Sequence, residues 1–108
     1  MDSIKETIRA ICDFITARDW WQFHNEPRDV AESLVLESAE VLELFQWGKN
    51  PDNKELELEL ADVAVYLFEL AEMRGVDLLA AIRRKLEINE RRYPVEKCRG
   101  KNTKYDKL

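Results

Sequence analysis

The chain has 108 residues, 22 of them acidic and 17 basic, for a formal net charge of −5. With carboxylates in excess and no continuous basic stripe, it is not built to grip a nucleic-acid backbone, and no apolar run approaches the ~18 residues of a membrane span. Cys12 and Cys98 have neither the spacing of a disulfide framework nor that of a zinc site, and the amino-terminal segment lacks the basic and apolar regions of a signal peptide. The expectation is a cytoplasmic protein of one domain, small enough to gain stability from oligomerisation.

In chain order, Ser3-Ile-Lys-Glu6 reads as a capping box. Ile4, Ile8, Ile11 and Ile15 then recur at helical spacing, which predicts a first helix from about residue 4 to 18. The next segment, Arg18 to Pro27, holds Trp20, Trp21, Phe23 and the single His24. Aromatics on a connector either cover a core or form a stacking wall for a flat ligand such as a base. A lone His is more often structural, but it can also bond a base or a phosphate. Pro27 suits a first helical turn, and Val30, Leu34, Val41 and Phe45 carry a second helix to Trp47, with Gly48 as its stop. A third helix is predicted from Asn50-Pro51 to Arg74, ended by Gly75, and a fourth, capped by Asp77, runs to Arg92. Strand patterns are missing, so the class is all-α. Residues 1–95 read as the helical catalytic domain, and 96–108 as a polar, basic carboxy-terminal tail without periodicity.

Two pairs of acids on the second and third helices organise the chain: Glu37 with Glu40, and Glu59 with Asp62. Within each pair the spacing of three residues places both side chains on one helix face. An isolated pair of this kind most often marks a solvated face. Here, however, Glu40 stands eight residues before Gly48 and Glu59 eight after Pro51, while Glu37 and Asp62 are each eleven away. An antiparallel hairpin therefore sets the four carboxylates at matching heights, where they repel unless protonated or bridged by a cation; an all-oxygen cluster suits Mg²⁺, with Mn²⁺ as a substitute. On the fourth helix Lys85, Asn89 and Arg92 share a face, which is either a solvated strip or a phosphate clamp.

These residues resemble the MazG-like nucleotide pyrophosphohydrolases, and within them the dCTP pyrophosphatase branch. The resemblance spans residues 4–95 and rests on Glu37-x-x-Glu40 with Glu59-x-x-Asp62, on Arg18-Asp19-Trp20, Gln22-Phe23-His24 and the Glu43-Leu-Phe-Gln-Trp-Gly48 run. Asp62 followed by Tyr66, and Lys85 to Pro94 with Asn89, complete it. It implies a four-helix bundle-like subunit with the MazG-like fold, assembled as a homotetramer, a dimer of dimers, with active sites completed across subunits. It also implies that Glu37, Glu40, Glu59 and Asp62 bind Mg²⁺, that Trp20 and Trp47 sandwich the base, that Tyr66, Lys85 and Asn89 reach sugar or phosphates, and that His24 lies nearby.

The leading expectation is a Mg²⁺-dependent hydrolase that splits a nucleoside triphosphate between the α- and β-phosphates, giving monophosphate and pyrophosphate. Glu37 is a ligand or the general base, Glu40 a catalytic ligand, and Lys85, with Asn89 and Arg92, holds the leaving pyrophosphate. The resemblance favours dCTP or a related deoxynucleotide and a house-cleaning role. The alternative is a non-catalytic helical oligomerisation or regulatory module. A di-iron carboxylate bundle is disfavoured, because His24 lies outside both acid pairs.

Overall fold

The computed structural model describes residues 3–108; Met1 and Asp2, the first two residues of the expected catalytic domain, lie outside the described residues. All regular structure among the described residues is helical, in five α-helices and three short 3₁₀ turns. None of these helices is long and apolar enough to cross a membrane. The chain divides into two compact units, one running to Val76 and one from Asp77 to Leu108.

In the first unit α1 spans Ile4–Ala17. Ser3 Oγ accepts the Glu6 N–H at 3.1 Å, satisfying one of the donors that a first turn leaves open. At Asp19 the backbone turns left-handed, with φ 54°. A short polar side chain tolerates this, and Gln22 Nε2 donates to both the Asp19 carbonyl and Oδ2. One 3₁₀ turn, Trp20–Gln22, follows. It splits the two indoles: Trp21 Nε1–H donates to Thr16 Oγ1 at 2.8 Å and is tied back to α1, whereas Trp20 is free to face elsewhere.

Helix α2 spans Pro27–Glu43, with Pro27 in the first turn where its missing N–H is not needed. It stops four residues short of Trp47, the end expected from the apolar period. The N–H groups of Leu44 and Phe45 bond back three residues, to Val41 and Leu42, which tightens the helix, and Trp47 then adopts φ 63°, which no α-helix accommodates. The start of α3 also differs from expectation: it spans Asn53–Met73, and its cap is Asp52, whose Oδ1 accepts the Glu55 N–H at 2.9 Å. Asn50-Pro51 belongs to the extended connection before it. Gly75, with φ 64°, ends α3 as the sequence leads one to expect: its own N–H bonds Glu72 and the Val76 N–H reaches the Ala71 carbonyl at 2.9 Å, a Schellman closure.

α2 and α3 lie along each other as the predicted hairpin, and α1 packs on α3. The core is thin. Ile15 of α1 and Val30 of α2 are the buried apolar residues among those described, and the third fully buried side chain is charged, Glu69 of α3.

The second unit begins with α4, Leu78–Arg92, where Asp77 Oδ1 caps the Ala80 N–H at 3.1 Å. A single turn, α5 (Val95–Cys98), and a 3₁₀ turn at Tyr105–Lys107 follow. Aromatic contact, not helical periodicity, returns this segment to the end of α4: Tyr105 meets Tyr93 edge-on at 6.0 Å, and the Arg92 guanidinium lies 4.5 Å from the Tyr105 ring centre.

Candidate active site

Antiparallel pairing of α2 and α3 converts two sequence-local acid pairs into one cluster. Glu37, Glu40 and Glu59 each contribute a carboxylate oxygen to a group whose members all lie within 4.8 Å of one another. Glu37 and Glu59 are half-buried, Glu40 is exposed, and Oε2 of both Glu37 and Glu59 is buried with no hydrogen-bond partner. Burial, followed by the adjoining Glu40 carboxylate and then the charges of Asp62 and other nearby acids, holds Glu37 and Glu59 above the ordinary 4.5. No Lys or Arg forms an ion pair with the cluster among the described residues. Carboxylates that repel, with two acceptor oxygens withdrawn from water and unpaired, form a donor set that a hard divalent cation satisfies. Asp62 stands outside the closest group, yet its charge acts on both half-buried acids and its side chain borders the neighbouring cavity.

That cavity, of about 450 Å³, lies between α1, the Trp20 turn and α3, and its size is that of a small-molecule pocket. Ile11, Ile15 and Val65 supply apolar walls, and Phe14, Trp20, His24 and Tyr66 supply rings. Trp20 meets Phe14 edge-on at 5.7 Å; the Trp20 and His24 rings are 6.3 Å apart, those of His24 and Tyr66 6.4 Å. Tyr66 links cavity and cluster. Its hydroxyl is pushed up first by burial and then by the charges of Glu37, Glu69 and Asp62, against the opposing effect of a hydrogen bond with Ser33. On the other side of the cluster, a polar hollow of about 730 Å³ is bordered by Glu40, Glu59 and one cation, Lys49.

One member of the cavity wall was not anticipated. Glu69 is only 1 % exposed, and its Oε2 accepts the Nδ1–H of His24 at 2.9 Å. A Glu inside an amphipathic helix reads as solvated, but the register i, i+4, i+7 of Asp62, Tyr66 and Glu69 puts all three on one face. The structure thus gathers Glu37, Glu40 and Glu59 at one point, and Trp20, His24, Tyr66 and Asp62 around one cavity. It does not bring Trp47 to that cavity: its indole is 86 % exposed. Lys85, Asn89 and Arg92 share one face of α4 in the second unit.

Residues 33–108, which include both acid pairs, match the MazG-like family. The chain belongs to the MazG-like family. Within it, this MazG-like chain groups with the dCTP pyrophosphatase branch: it is 39 % identical over 116 aligned positions to dCTP pyrophosphatase 1 of Homo sapiens, covering 98 % of this chain and 68 % of that protein. The Bos taurus dCTP pyrophosphatase 1 is 38 % identical with the same coverage. A pyrophosphatase crystal structure from Archaeoglobus fulgidus DSM 4304 superposes with a TM-score of 0.75 at 32 % identity, over 87 % of this chain and 94 % of that one. The family match begins inside α2, whereas the similarity to the human protein covers 98 % of the chain and so takes in α1 and the Trp20 turn, which close the cavity.

Proposed function

We propose that this chain is a Mg²⁺-dependent nucleoside triphosphate pyrophosphohydrolase that cleaves between the α- and β-phosphates and favours dCTP or a related deoxynucleotide. One observation carries the reading: two buried, unpartnered carboxylate oxygens, on Glu37 and Glu59, stand beside a ring-lined cavity large enough for a nucleobase. The names of the relatives, dCTP pyrophosphatase 1, support the choice of nucleotide.

Glu37, Glu40, Glu59 and Asp62 hold the cation, with Mn²⁺ as a substitute. When bound, the ion offsets triphosphate charge and makes water a stronger nucleophile. Glu37 acts as a ligand or takes the proton of the attacking water, a role that suits a carboxylate held above its ordinary range. Trp20 stacks on the base, with His24 and Tyr66 flanking the nucleoside. Lys85, Asn89 and Arg92 hold the phosphates, within a catalytic domain of residues 1–95. A homotetramer, a dimer of dimers that completes each site with Trp47 across a subunit boundary, is supported by exposed apolar side chains on the hairpin, among them Val35, Leu36 and Leu42 of α2 and Leu58 of α3. The role is cytoplasmic house-cleaning of the nucleotide pool.

A panel of canonical and modified NTPs and dNTPs with Mg²⁺, read for pyrophosphate against orthophosphate, tests this. Pyrophosphate alone, released fastest from dCTP-like substrates, is the expected result; orthophosphate release or no turnover overturns the reading. A monomer at micromolar concentration in sedimentation overturns the assembly.

A further inference from the structure

Most of the cavity cannot tell one base from another. Ile11, Ile15 and Val65 offer only apolar contact, and the faces of Phe14, Trp20 and Tyr66 stack on any π-system. The Thr7 hydroxyl, which also borders the space, already donates to the Ser3 carbonyl at 3.1 Å. Asp62 lies toward the acid cluster, where the phosphates belong. Glu69 remains.

Its position is unusual for a structural residue. A carboxylate that is 1 % exposed, in a wall shared with Ile15 and Val65, has one hydrogen bond, from His24 Nδ1–H at 2.9 Å. A carboxylate has two oxygens and about four acceptor positions, so this bond fixes its orientation and leaves most of its capacity unused. An aliphatic side chain would pack here without the penalty of burying a charge. Glu69 also stands seven residues beyond Asp62 on the same face of α3, about 10 Å along the helix axis. That separation matches the reach of a nucleoside from its 5′ phosphate to the far edge of its base.

Resting on the pyrophosphohydrolase reading above, we propose that Glu69, oriented by His24, selects the base: its carboxylate accepts the exocyclic amino group of cytosine or adenine and repels the keto oxygen that uracil, thymine or hypoxanthine presents there. Carboxylates pair in this way with the amino group of cytosine, and a matched contact discriminates by about fivefold to 150-fold. The substrate class is accordingly the amino-bearing nucleotides.

Two measurements test the proposal. The first is calorimetry of dCMP and dUMP on the wild-type protein without metal, which needs no turnover. A preference for dCMP of about fivefold or more is expected; equal affinities, or tighter dUMP, overturn the selector role. The second compares kcat/KM for dCTP against dUTP, and for dATP against dITP, in wild type and Glu69→Gln. The amide keeps the size and still accepts from His24, but it can turn its NH₂ toward a keto oxygen, so both ratios should fall toward unity through improved dUTP and dITP turnover. A loss that is equal for all four substrates, with the ratios unchanged, shows a purely structural residue and overturns the proposal. If wild type hydrolyses no nucleotide, the pyrophosphohydrolase reading fails, while the monophosphate titration, repeated on Glu69→Gln, still decides Glu69: a dCMP preference that the variant keeps overturns the proposal.

Discussion

Glu59 and Glu69 lie ten residues apart on α3 and meet the same difficulty in opposite ways. Each carries carboxylate oxygen withdrawn from water. Glu69 is more deeply buried, yet it is paired from within the chain by His24, contributed by a segment 45 residues away. Glu59 is set instead beside Glu37 and Glu40, and keeps Oε2 without a partner. A buried carboxylate that gains a partner within the chain is held in place by folding, whereas a cluster of like charges with unpaired oxygens is held only by something that binds. On one helix, then, the ring-lined cavity is preformed and the acid cluster is left open.

The largest effect that can break this contrast is loss of the cluster. Replacing Glu40 or Asp62 by Ala should lower turnover about a hundredfold or more, because metal-assisted charge stabilisation is worth several kcal/mol. Mg²⁺ should raise Tm in wild type, and either substitution should weaken that rise. Glu69→Gln, on the cavity side, should keep that Mg²⁺-dependent rise. Full turnover in Glu40→Ala or Asp62→Ala would remove the reason for separating the regions.

Next in size is stacking. Trp20→Ala and Trp47→Ala should each reduce nucleotide affinity about fivefold to 150-fold in a non-hydrolysing Glu40→Gln background, measured by calorimetry. Trp21→Ala, which loses the bond to Thr16, should lower Tm more than affinity. Affinities equal to the parent's for both Trp20→Ala and Trp47→Ala would assign those indoles to packing.

The smallest effect sharpens the comparison through pH. Glu37 and Glu59 are held above 4.5 in the folded chain, so between 4.5 and their folded values the native state binds more protons than the unfolded one. Stability therefore falls as pH rises through that window, and the penalty is complete above it. In EDTA, Tm relative to a Glu37→Gln variant should decline across this window, and Mg²⁺ should flatten the decline. A wild-type curve parallel to that of the variant would show that the acids do not feel one another.

What the sequence made legible was local. Ser3, Asp77 and Gly75 marked helix ends because capping is decided within four residues, and the three-residue spacing of the acids required only helical geometry. The hairpin, set by Gly48 and Pro51, carried enough register to bring Glu37, Glu40 and Glu59 together. Two boundaries were misread where local patterns compete. Leu44 and Phe45 continue the apolar period of α2 while their backbone has already tightened, and Asp52 caps α3 although Asn50-Pro51 looks like a start. Glu69 was missed for another reason: its partner is far away in sequence, and its own segment marks it only by the register it shares with Asp62 and Tyr66.

Trp47 gives the molecule an optical consequence. Its indole is 86 % exposed in the single chain, while Trp20 is covered over more than half its surface and Trp21 is half-buried. Emission from Trp47 should therefore be the red-shifted, readily quenched part of the fluorescence, and any partner or ligand that covers it should shift that part to the blue. The left-handed backbone at Trp47, φ 63°, followed by Gly48 at φ 75°, fixes where this side chain leaves the hairpin. The protein thus carries an intrinsic spectroscopic label at the tip of its hairpin, and association can be followed without adding a dye.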